Sequence, residues 1–530
     1  MTKSLRDTFA KDNLPPPEQF PEFSNLAELD YPEKLNCAKN FLDDAVAEGF
    51  GQHLVIITPE EEYTYARLQK DANKLAHVLV DDCGLIPGNR VLLRAPNSYM
   101  MAVCWFSVVK AGGIAVSTMP LFRAKELRVM IEKAQIKIAL CDVRLKDELE
   151  SAQADSMLDQ ILLFGGSELE EKMSTKPEIF ENCPTNSADT CLIAFTSGTT
   201  GNPKGTMHYH RDMLTICRAY SEPILAPTPK DRFIGSPPLA FTFGLGGQLL
   251  FPMYARSSTI LLEQATPDLL LLAIKKHEAS IVFTSPTAYR FLLSELKDGD
   301  LSSVRTCVSA GETLAKPTWD SWQAKTGLEI LDGIGSTELL HIFMSSRTGD
   351  IRPGSTGKPV AGYEAKVVDE EGNEVPPGTT GKLAVKGPTG CRYLADERQK
   401  KYVQNGWNLT GDAYQMDEDG YYWFKARTDD MIISSGYNIA GPEVETALLA
   451  HQAVVECAVV GVPDAQRGSL VKAFVVLQQG ISGDAALIKE LQDFVKNSIA
   501  PYKYPRALEF VDSLPKTETG KIQRFKLRES

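Results

Sequence analysis

Short apolar runs alternate with amphipathic stretches along residues 54 to 308, and this alternation constrains the fold more than any other feature of the sequence. The β-branched run Leu54–Ile57 is followed by a helical pattern over 65–80 and by another apolar run over 90–93. Because such a pattern is typical of parallel strands joined by helices, it predicts a mostly parallel sheet covered on both faces. A second series of runs, which includes 259–262, predicts further strands of the same kind.

The pattern changes twice towards the carboxyl terminus. From about residue 351, closely spaced strands and turns predict antiparallel β structure, a small barrel or half barrel. Beyond Arg427, helices and strands alternate again over about a hundred residues, a sensible size for a separate α+β module. The expected fold class is therefore α/β. A large amino-terminal domain, 1–427, would hold two mostly parallel helix-covered sheets and a small β-barrel, and a smaller α+β domain would span 428–530.

Composition narrows the possible function classes. The chain has 530 residues, a net charge of −13 and a pI near 5.2, which argues against nucleic acid as a partner because phosphate backbones require a basic surface. No signal peptide is visible, and no uncharged apolar run reaches bilayer-spanning length. The ten cysteines stand singly without a CxxC pair, as is typical of reduced, buried thiols. These features predict a cytoplasmic protein without a membrane span.

A ten-residue stretch rich in glycine, serine and threonine forms the strongest single motif. It reads Thr196-Ser197-Gly198-Thr199-Thr200-Gly201-Asn202-Pro203-Lys204-Gly205. Bare backbone N–H groups and hydroxyls can converge on an oxyanion, so the stretch predicts a phosphate-binding loop. It lacks the spacing of a Walker loop, and the turn at Asn202-Pro203 predicts strand, loop, strand instead. The alternative is a flexible surface hairpin.

Two further polar motifs follow predicted strands, which is where ligands bind in open α/β sheets. They are 309–312 (Ser-Ala-Gly-Glu) and 332–338 (Asp-Gly-Ile-Gly-Ser-Thr-Glu), and three more polar motifs stand at Gly411-Asp412, Arg427-Thr428-Asp429-Asp430 and 515–522 (Pro-Lys-Thr-Glu-Thr-Gly-Lys-Ile). The apolar stretch 238–247 mixes aromatic residues and glycines without helical spacing. It is either a buried turn before a core helix or the wall of an apolar pocket.

In this order, the motifs resemble those of the adenylate-forming superfamily of acyl-CoA synthetases, luciferases and peptide-synthetase adenylation domains, and the resemblance spans most of the chain. Within the superfamily the chain looks most like aryl-CoA ligases of the benzoate and 2-aminobenzoate type, because of 332–338, the following His341-Ile342-Phe343, and 240–246. Medium-chain acyl-CoA synthetases are similar along the nucleotide motifs and around 467–476, so they remain the alternative.

The resemblance implies a two-step, ATP-dependent ligase. A small aromatic carboxylate would react with ATP and Mg²⁺ to give acyl-AMP and pyrophosphate, and coenzyme A would then displace AMP. An adenylation domain that feeds a carrier protein and a non-catalytic nucleotide sensor are the rival functions. The oligomeric state expected is a monomer or a homodimer.

The resemblance also implies roles for individual nucleotide-binding residues. Those near the phosphates would be Thr196, Ser197, Gly198, Thr199, Thr200, Gly201 and Lys204, with Thr337 on the α-phosphate and Glu338 on Mg²⁺. Those near adenine and ribose would be Ala310, Gly311, Glu312, Asp332, Gly333, Ile334, Gly335, Ser336, Asp412 and Arg427. Ile334 departs from the superfamily, which usually has an aromatic residue there. Lys521 would donate to the reacting carboxylate and the bridging phosphate oxygen.

The acyl group and the second half-reaction involve a further set of residues. Phe241, Thr242, Phe243, Gly335 and His341 match the acyl pocket, a short apolar slot better suited to a planar ring than to a flexible chain. Asp429 matches the superfamily's hinge, and Ser435, Gly436 and Tyr437 match its pantetheine channel. The resemblance implies that the carboxyl-terminal domain first presents Lys521 and then rotates to open this channel for coenzyme A.

The pair His208-x-His210 invites a zinc interpretation. No third ligand with suitable spacing stands nearby in the sequence, so the pair is more simply explained as flanking the start of a helix.

Overall fold

The computed structural model describes residues 6–24, 29–154, 156–196, 203–428, 430–434, 437–464, 467–516 and 522–528. Several predicted functional residues lie outside this described part: Ser197, Gly198, Thr199, Thr200, Gly201, Asp429, Ser435, Gly436 and Lys521. Tyr437 begins the short strand Tyr437–Ile439.

The first sheet, called sheet A, has six strands. In spatial order they are Gln160–Phe164, Ile138–Asp142, Arg90–Arg94, Ile114–Thr118, Thr190–Thr196 and Lys204–Tyr209. The first five run parallel, and the last pairs with its neighbour as an antiparallel hairpin in which Thr196 faces Lys204. The central strands are buried along their whole length, as expected for a parallel sheet covered on both faces.

The second sheet, called sheet B, has nine strands. In order they are Lys358–Pro359, Ile342–Ser345, Ile330–Gly335, Thr306–Ser309, Ile281–Thr284, Arg232–Gly235, Ser258–Ile260, Leu54–Ile57 and Glu62–Thr64. Six neighbouring strands, from Ile330–Gly335 to Leu54–Ile57, are parallel. The expectation of two mostly parallel sheets is thus confirmed. Leu54–Ile57 pairs with Ser258–Ile260, far along the chain. The sequence did not indicate this pairing, because periodicity does not report which distant strand becomes a neighbour.

Helices pack against both sheets. The longer ones are Tyr65–His77, Tyr99–Lys110, Ala124–Ala134, Lys146–Gln153, Glu168–Ser174, His210–Ile216, Pro267–His277, Pro286–Glu295 and Lys316–Thr326. The segment 238–247 differs from its sequence pattern, since helical turns begin within it at Thr242–Leu245 and continue to Tyr254. A Cβ at Gly246 would lie 2.3 Å from the His341 ring, so close packing requires glycine there. This glycine interrupts the apolar spacing by which a helix is recognised in the sequence.

The remainder of the chain is antiparallel and α+β structure. A five-stranded half barrel contains Glu364–Val368, Thr380–Lys386, Trp407–Met416, Val403–Gln404 and Tyr422–Arg427. Beyond it lie the hairpin Ile432–Ser434 with Tyr437–Ile439 and a sheet of Val454–Asp464, Gly468–Leu477 and Ala507–Phe510, with helices Gly441–Leu449, Ala485–Ser498 and Arg524–Arg528. These last elements bury their own apolar cluster. Among the described residues, no helix has the length and apolar character needed to span a bilayer.

Candidate functional site

The two large sheets meet at the ends of their strands, and the predicted nucleotide motifs come together there. Lys204 stands at the start of the last strand of sheet A, and Thr337 and Glu338 follow the strand Ile330–Gly335 of sheet B. The Lys204 Nζ lies 3.4 Å from Glu338 Oε1, and His208 Nε2 lies 2.8 Å from the Thr337 carbonyl oxygen. The geometry therefore forms one crevice between the sheets, as in other open α/β sheets.

A tyrosine that no sequence motif distinguishes completes the charged cluster in this crevice. Lys204 Nζ donates to the Tyr393 hydroxyl over 2.7 Å, and that hydroxyl donates in turn to Glu338 Oε1. Burial, together with the charge of Glu338, raises the pKa of Tyr393 far above its ordinary value, so the hydroxyl keeps its proton and remains a donor. Tyr393 reaches the cluster because Thr206 forms a backbone bridge to it beside the hairpin.

His208 is a second site residue whose contacts the sequence does not reveal. Its ring is fully buried, and burial lowers its pKa to about 4, so the ring is neutral at physiological pH. Nε2 faces a carbonyl oxygen, which assigns the proton to Nε2 and makes His208 a donor to the Thr337 backbone. His208 thus fixes the position of the Thr337 backbone through this hydrogen bond. His210 begins the helix His210–Ile216, which confirms that the histidine pair flanks a helix start.

The expected ribose-binding residues form a pair on neighbouring strands of the half barrel. Asp412 and Arg427 are directly opposite in the antiparallel register, and Arg427 Nη1 donates to Asp412 Oδ1 over 2.9 Å. The Tyr402 hydroxyl lies 3.4 Å from the Ser336 Oγ, and the pKa of Tyr402 is raised by burial and then by the charges of Glu338 and Asp412. The charges of both carboxylates therefore act on Tyr402.

The expected adenine-side residues lie at the end of the strand Thr306–Ser309. Glu312 Oε2 accepts hydrogen bonds from the Thr287 hydroxyl over 2.7 Å and from its backbone N–H over 3.2 Å, which ties this segment to the helix Pro286–Glu295. Ala310 is buried, and Gly311 has a φ of +91°, a conformation that favours glycine. Burial raises the pKa of Asp332 to about 8, so this carboxyl is largely protonated at neutral pH and adds little charge to the cleft.

His341 stands in an aromatic cage. Its ring centroid lies 4.5 Å from that of Phe251, 5.6 Å from Phe243 and 5.8 Å from Tyr220. Burial lowers its pKa to about 3, so the ring is neutral. Nε2 lies 3.3 Å from the Phe243 carbonyl oxygen, whereas the buried Nδ1 has no hydrogen-bond partner among the residues that the structure describes.

The residues expected around the acyl group partly converge on this cage. Thr242 and Phe243 form the first helical turn beside it, and Phe241 precedes that turn. A Cβ at Gly335 would lie 2.7 Å from the His341 carbonyl oxygen, so the glycine allows the strand and the His341 backbone to approach closely. The result is a compact, uncharged aromatic environment.

The carboxyl-terminal residues contact the adenine side of the cleft through one buried carboxylate. Glu456 Oε1 forms an ion pair with Lys516 Nζ over 2.7 Å and lies 3.7 Å from the Arg290 guanidinium on the helix Pro286–Glu295. Glu456 is buried, and the neighbouring cations compensate its charge. The segment that leads to Lys521 is thereby attached to the larger domain.

Comparisons with known proteins agree with this geometry. A family model described as AMP-binding enzyme matches residues 43–393, and one described as AMP-binding enzyme C-terminal domain matches residues 443–521. The benzoate–CoA ligase of Thauera aromatica is 36% identical over 512 residues, 94% of this chain and 96% of the relative. The mitochondrial acyl-coenzyme A synthetase ACSM5 of Rattus norvegicus is 35% identical over 88% of this chain and 84% of its own length.

A solved structure is also closely similar. The anthranilate CoA ligase AuaEII in complex with anthranoyl-AMP superposes with a TM-score of 0.91 at 36% identity, over 95% of this chain and 98% of that one. The fold, the crevice and the extent of these matches lead to one conclusion: the chain belongs to the AMP-binding enzyme family, the adenylate-forming enzymes that its motifs resemble.

Proposed function

We propose that the protein is an ATP-dependent aromatic carboxylic acid CoA ligase that acts on benzoate or 2-aminobenzoate. The carboxylate attacks the α-phosphate of ATP to give acyl-AMP and pyrophosphate, and the coenzyme A thiol then displaces AMP to give the thioester. The observation that carries the proposal is the uncharged aromatic cage around His341, beside the crevice that holds Lys204 and Glu338. Relatives that act on benzoate and anthranilate support the same substrate class.

The phosphate end of ATP is assigned to the hairpin of sheet A. Lys204, held by the Tyr393 hydroxyl, donates its remaining N–H groups to phosphate oxygens and neutralises their charge, and the loop from Thr196 to Gly201 supplies hydroxyl and N–H donors. Thr337, held through its backbone by His208, donates to the α-phosphate. Lys521 would deliver a mobile positive charge to the carboxylate and the bridging oxygen.

Glu338 is the proposed ligand of Mg²⁺. Its carboxylate suits a hard cation, and both of its contacts with described residues are made by Oε1 alone. When bound, the ion would neutralise phosphate charge next to Glu338. Tyr393 and Lys204 hold this carboxylate in place before ATP arrives.

The nucleoside end is assigned to the half barrel and the strand ends of sheet B. Asp412 accepts from the ribose hydroxyls, and Arg427 fixes the orientation of that carboxylate. Ala310, Gly311 and Glu312 border the base together with the segment from Asp332 to Ser336. Ile334 provides apolar packing where an aromatic ring is usual in the superfamily.

His341 gives the acyl slot a preference for a ring with a donor substituent. Since Nε2 faces a carbonyl oxygen, the proton belongs on Nε2 and Nδ1 becomes a buried acceptor. An amino group ortho to the carboxylate would satisfy this acceptor, which favours 2-aminobenzoate over an alkyl chain. Phe241, Thr242, Phe243 and Gly335 would shape the rest of the slot.

The two half-reactions are assigned to two domain arrangements. We place the boundary between 1–427 and 428–530, with Asp429 as hinge and with Ser435, Gly436 and Tyr437 lining the pantetheine channel. The separate apolar core of the carboxyl-terminal elements supports a rigid-body rotation of this kind. A cytoplasmic location stays a prediction from the sequence.

A substrate panel tests the proposed function. Benzoate, 2-aminobenzoate, hexanoate and octanoate are compared by pyrophosphate release and by loss of the free coenzyme A thiol. The proposal predicts that the aromatic acids have the higher kcat/KM by at least about tenfold, the discrimination that one or two kcal/mol of pocket contacts provides. Preference for hexanoate or octanoate would instead establish a medium-chain synthetase. ATP binding without pyrophosphate release would indicate a nucleotide sensor, and release without thiol loss would indicate a carrier-dependent adenylation domain.

A further inference from the structure

Two cysteines and a histidine from distant parts of the chain meet behind the hairpin of sheet A. Cys37 lies at the start of the helical segment that continues into Lys39–Asp43, Cys191 lies on the strand Thr190–Thr196, and His210 begins the helix His210–Ile216. All three side chains are buried, and their ligand atoms, the two Sγ atoms and a ring nitrogen, lie within 4.8 Å of one another. None of these three residues is among those assigned above to ATP or to the carboxylic acid.

Within this cluster, His210 contacts Cys37. His210 Nδ1 lies 3.3 Å from Cys37 Sγ and accepts a hydrogen bond over 3.2 Å from the Cys37 backbone N–H, which an ion bound at Nδ1 would replace. The third donor, Cys191 Sγ, also makes a long contact of 3.7 Å to the His208 carbonyl oxygen. Ligands that share one zinc ion lie roughly 3.5–4 Å apart, as follows from bond lengths of about 2.3 Å to sulfur and 2.0–2.1 Å to nitrogen. Small side-chain movements would therefore bring the two Sγ atoms and the ring nitrogen to bonding distance from one ion.

We propose that Cys37, Cys191 and His210 form a binding site for a thiophilic d¹⁰ cation, Cu⁺ or Zn²⁺. Thiolate and imidazole ligands select these ions over Mg²⁺, Ca²⁺ or Mn²⁺, which require oxygen ligands. Three donors are grouped here in the part of the chain that the structure describes, and structural zinc sites generally use four, so the donor count favours Cu⁺.

A bound ion would join the amino-terminal segment to the hairpin that carries Lys204 and His208. Asn36, next to Cys37, already donates to the Val109 carbonyl oxygen over 2.9 Å, so this segment has one fixed position. Because the ligand atoms have no exposed surface, the ion is expected to enter while the chain folds.

Metal analysis of the full-length protein tests the site. The protein is expressed with added copper or with added zinc, desalted, and measured by inductively coupled plasma mass spectrometry. The reduced protein is also refolded anaerobically with Cu⁺ or Zn²⁺ in competition with a chromophoric chelator. We expect about one equivalent per chain of one ion and an affinity at least 100-fold weaker in Cys37→Ser and Cys191→Ser, a larger loss than outer-shell changes cause. Cys307→Ser, another buried cysteine, is the matched control and should keep the ion.

X-ray absorption of the loaded wild-type protein makes the test independent of variant folding. Two sulfur neighbours and one nitrogen neighbour around copper or zinc would support the site and identify the ion. Less than a tenth of an equivalent under every loading condition would overturn the proposal. So would a metal whose content is unchanged in Cys37→Ser and Cys191→Ser, or whose neighbours are oxygen only.

Discussion

The Tyr393 hydroxyl is predicted to hold the phosphate-binding lysine and the metal-binding carboxylate in one arrangement. Tyr393→Phe removes the only atom that contacts both Lys204 Nζ, at 2.7 Å, and Glu338 Oε1 among the described residues. Lys204 and Glu338 would keep their direct separation of 3.4 Å, so the cluster weakens without losing its charge balance.

The size of the effect follows from the kind of hydrogen bond that is lost. A bond to a charged group contributes about 1.5–3 kcal/mol, compared with roughly 1 kcal/mol for a neutral pair. Expressed as transition-state stabilisation, this is roughly a 10- to 150-fold loss of kcat/KM for ATP in the first half-reaction. We also expect a higher Mg²⁺ requirement, because Glu338 is less well positioned.

The assay is ATP–pyrophosphate exchange with benzoate, measured against ATP and Mg²⁺ concentration. The matched control is Tyr363→Phe, since Tyr363 is also buried but its hydroxyl shares its hydrogen bond of 2.6 Å with the neutral Thr389. This control should lower thermal stability slightly and leave exchange unchanged. If Tyr393→Phe also reduced only stability, with exchange kinetics within twofold of wild type, the positioning role would be refuted.

Three further predictions concern histidine burial, the acyl slot and the domain rotation. Burial lowers the pKa of His208 to about 4, so its contribution to stability is complete above pH 6.5 and is lost as the pH falls. Between pH 7 and pH 5, the free energy of unfolding measured in urea should therefore fall by about 2 kcal/mol more in the wild type than in His208→Gln. An equal pH dependence in the two proteins would contradict this. Gly246→Ala places a methyl group 2.3 Å from the His341 ring. It should lower kcat/KM for benzoate by roughly tenfold or more and leave KM for ATP within twofold. If kcat/KM for benzoate and KM for ATP worsened in parallel, this would argue against an acyl slot there. Lys521→Ala should abolish most adenylate formation but spare thioester formation from supplied acyl-AMP, and Asp429→Pro should show the opposite bias; equal damage to both half-reactions would leave the rotation unsupported.

Local sequence patterns predicted the elements and the positions of the motifs well. The strand Leu54–Ile57 has the bounds that the pattern indicates, the apolar run 90–93 lies within the strand Arg90–Arg94, and the helix predicted over 65–80 begins at Tyr65. Motifs placed at strand ends do meet in one crevice, because parallel strands bring their carboxyl ends to the same edge. These features depend on neighbours within a few residues, which a single sequence reports directly.

The features that the sequence did not predict depend on contacts between distant residues. Lys204 and Tyr393 are 189 positions apart, and Cys37 and His210 are 173 apart. No spacing rule connects such pairs, and Tyr393 carries no motif of its own. The sequence pattern did not indicate the helical turn at Thr242–Leu245 for another reason. Close packing against His341 requires a glycine at position 246, and glycine interrupts the apolar periodicity that indicates a helix.

Competition between acids in one reaction tests the central claim most directly. The protein is given ATP, Mg²⁺ and coenzyme A with equal concentrations of benzoate, 2-aminobenzoate, hexanoate and octanoate, and the coenzyme A thioesters are separated and identified by mass spectrometry. The account predicts benzoyl- or 2-aminobenzoyl-CoA as the main product, formed together with AMP and pyrophosphate. Hexanoyl- or octanoyl-CoA as the main product, or ADP in place of AMP, would contradict it.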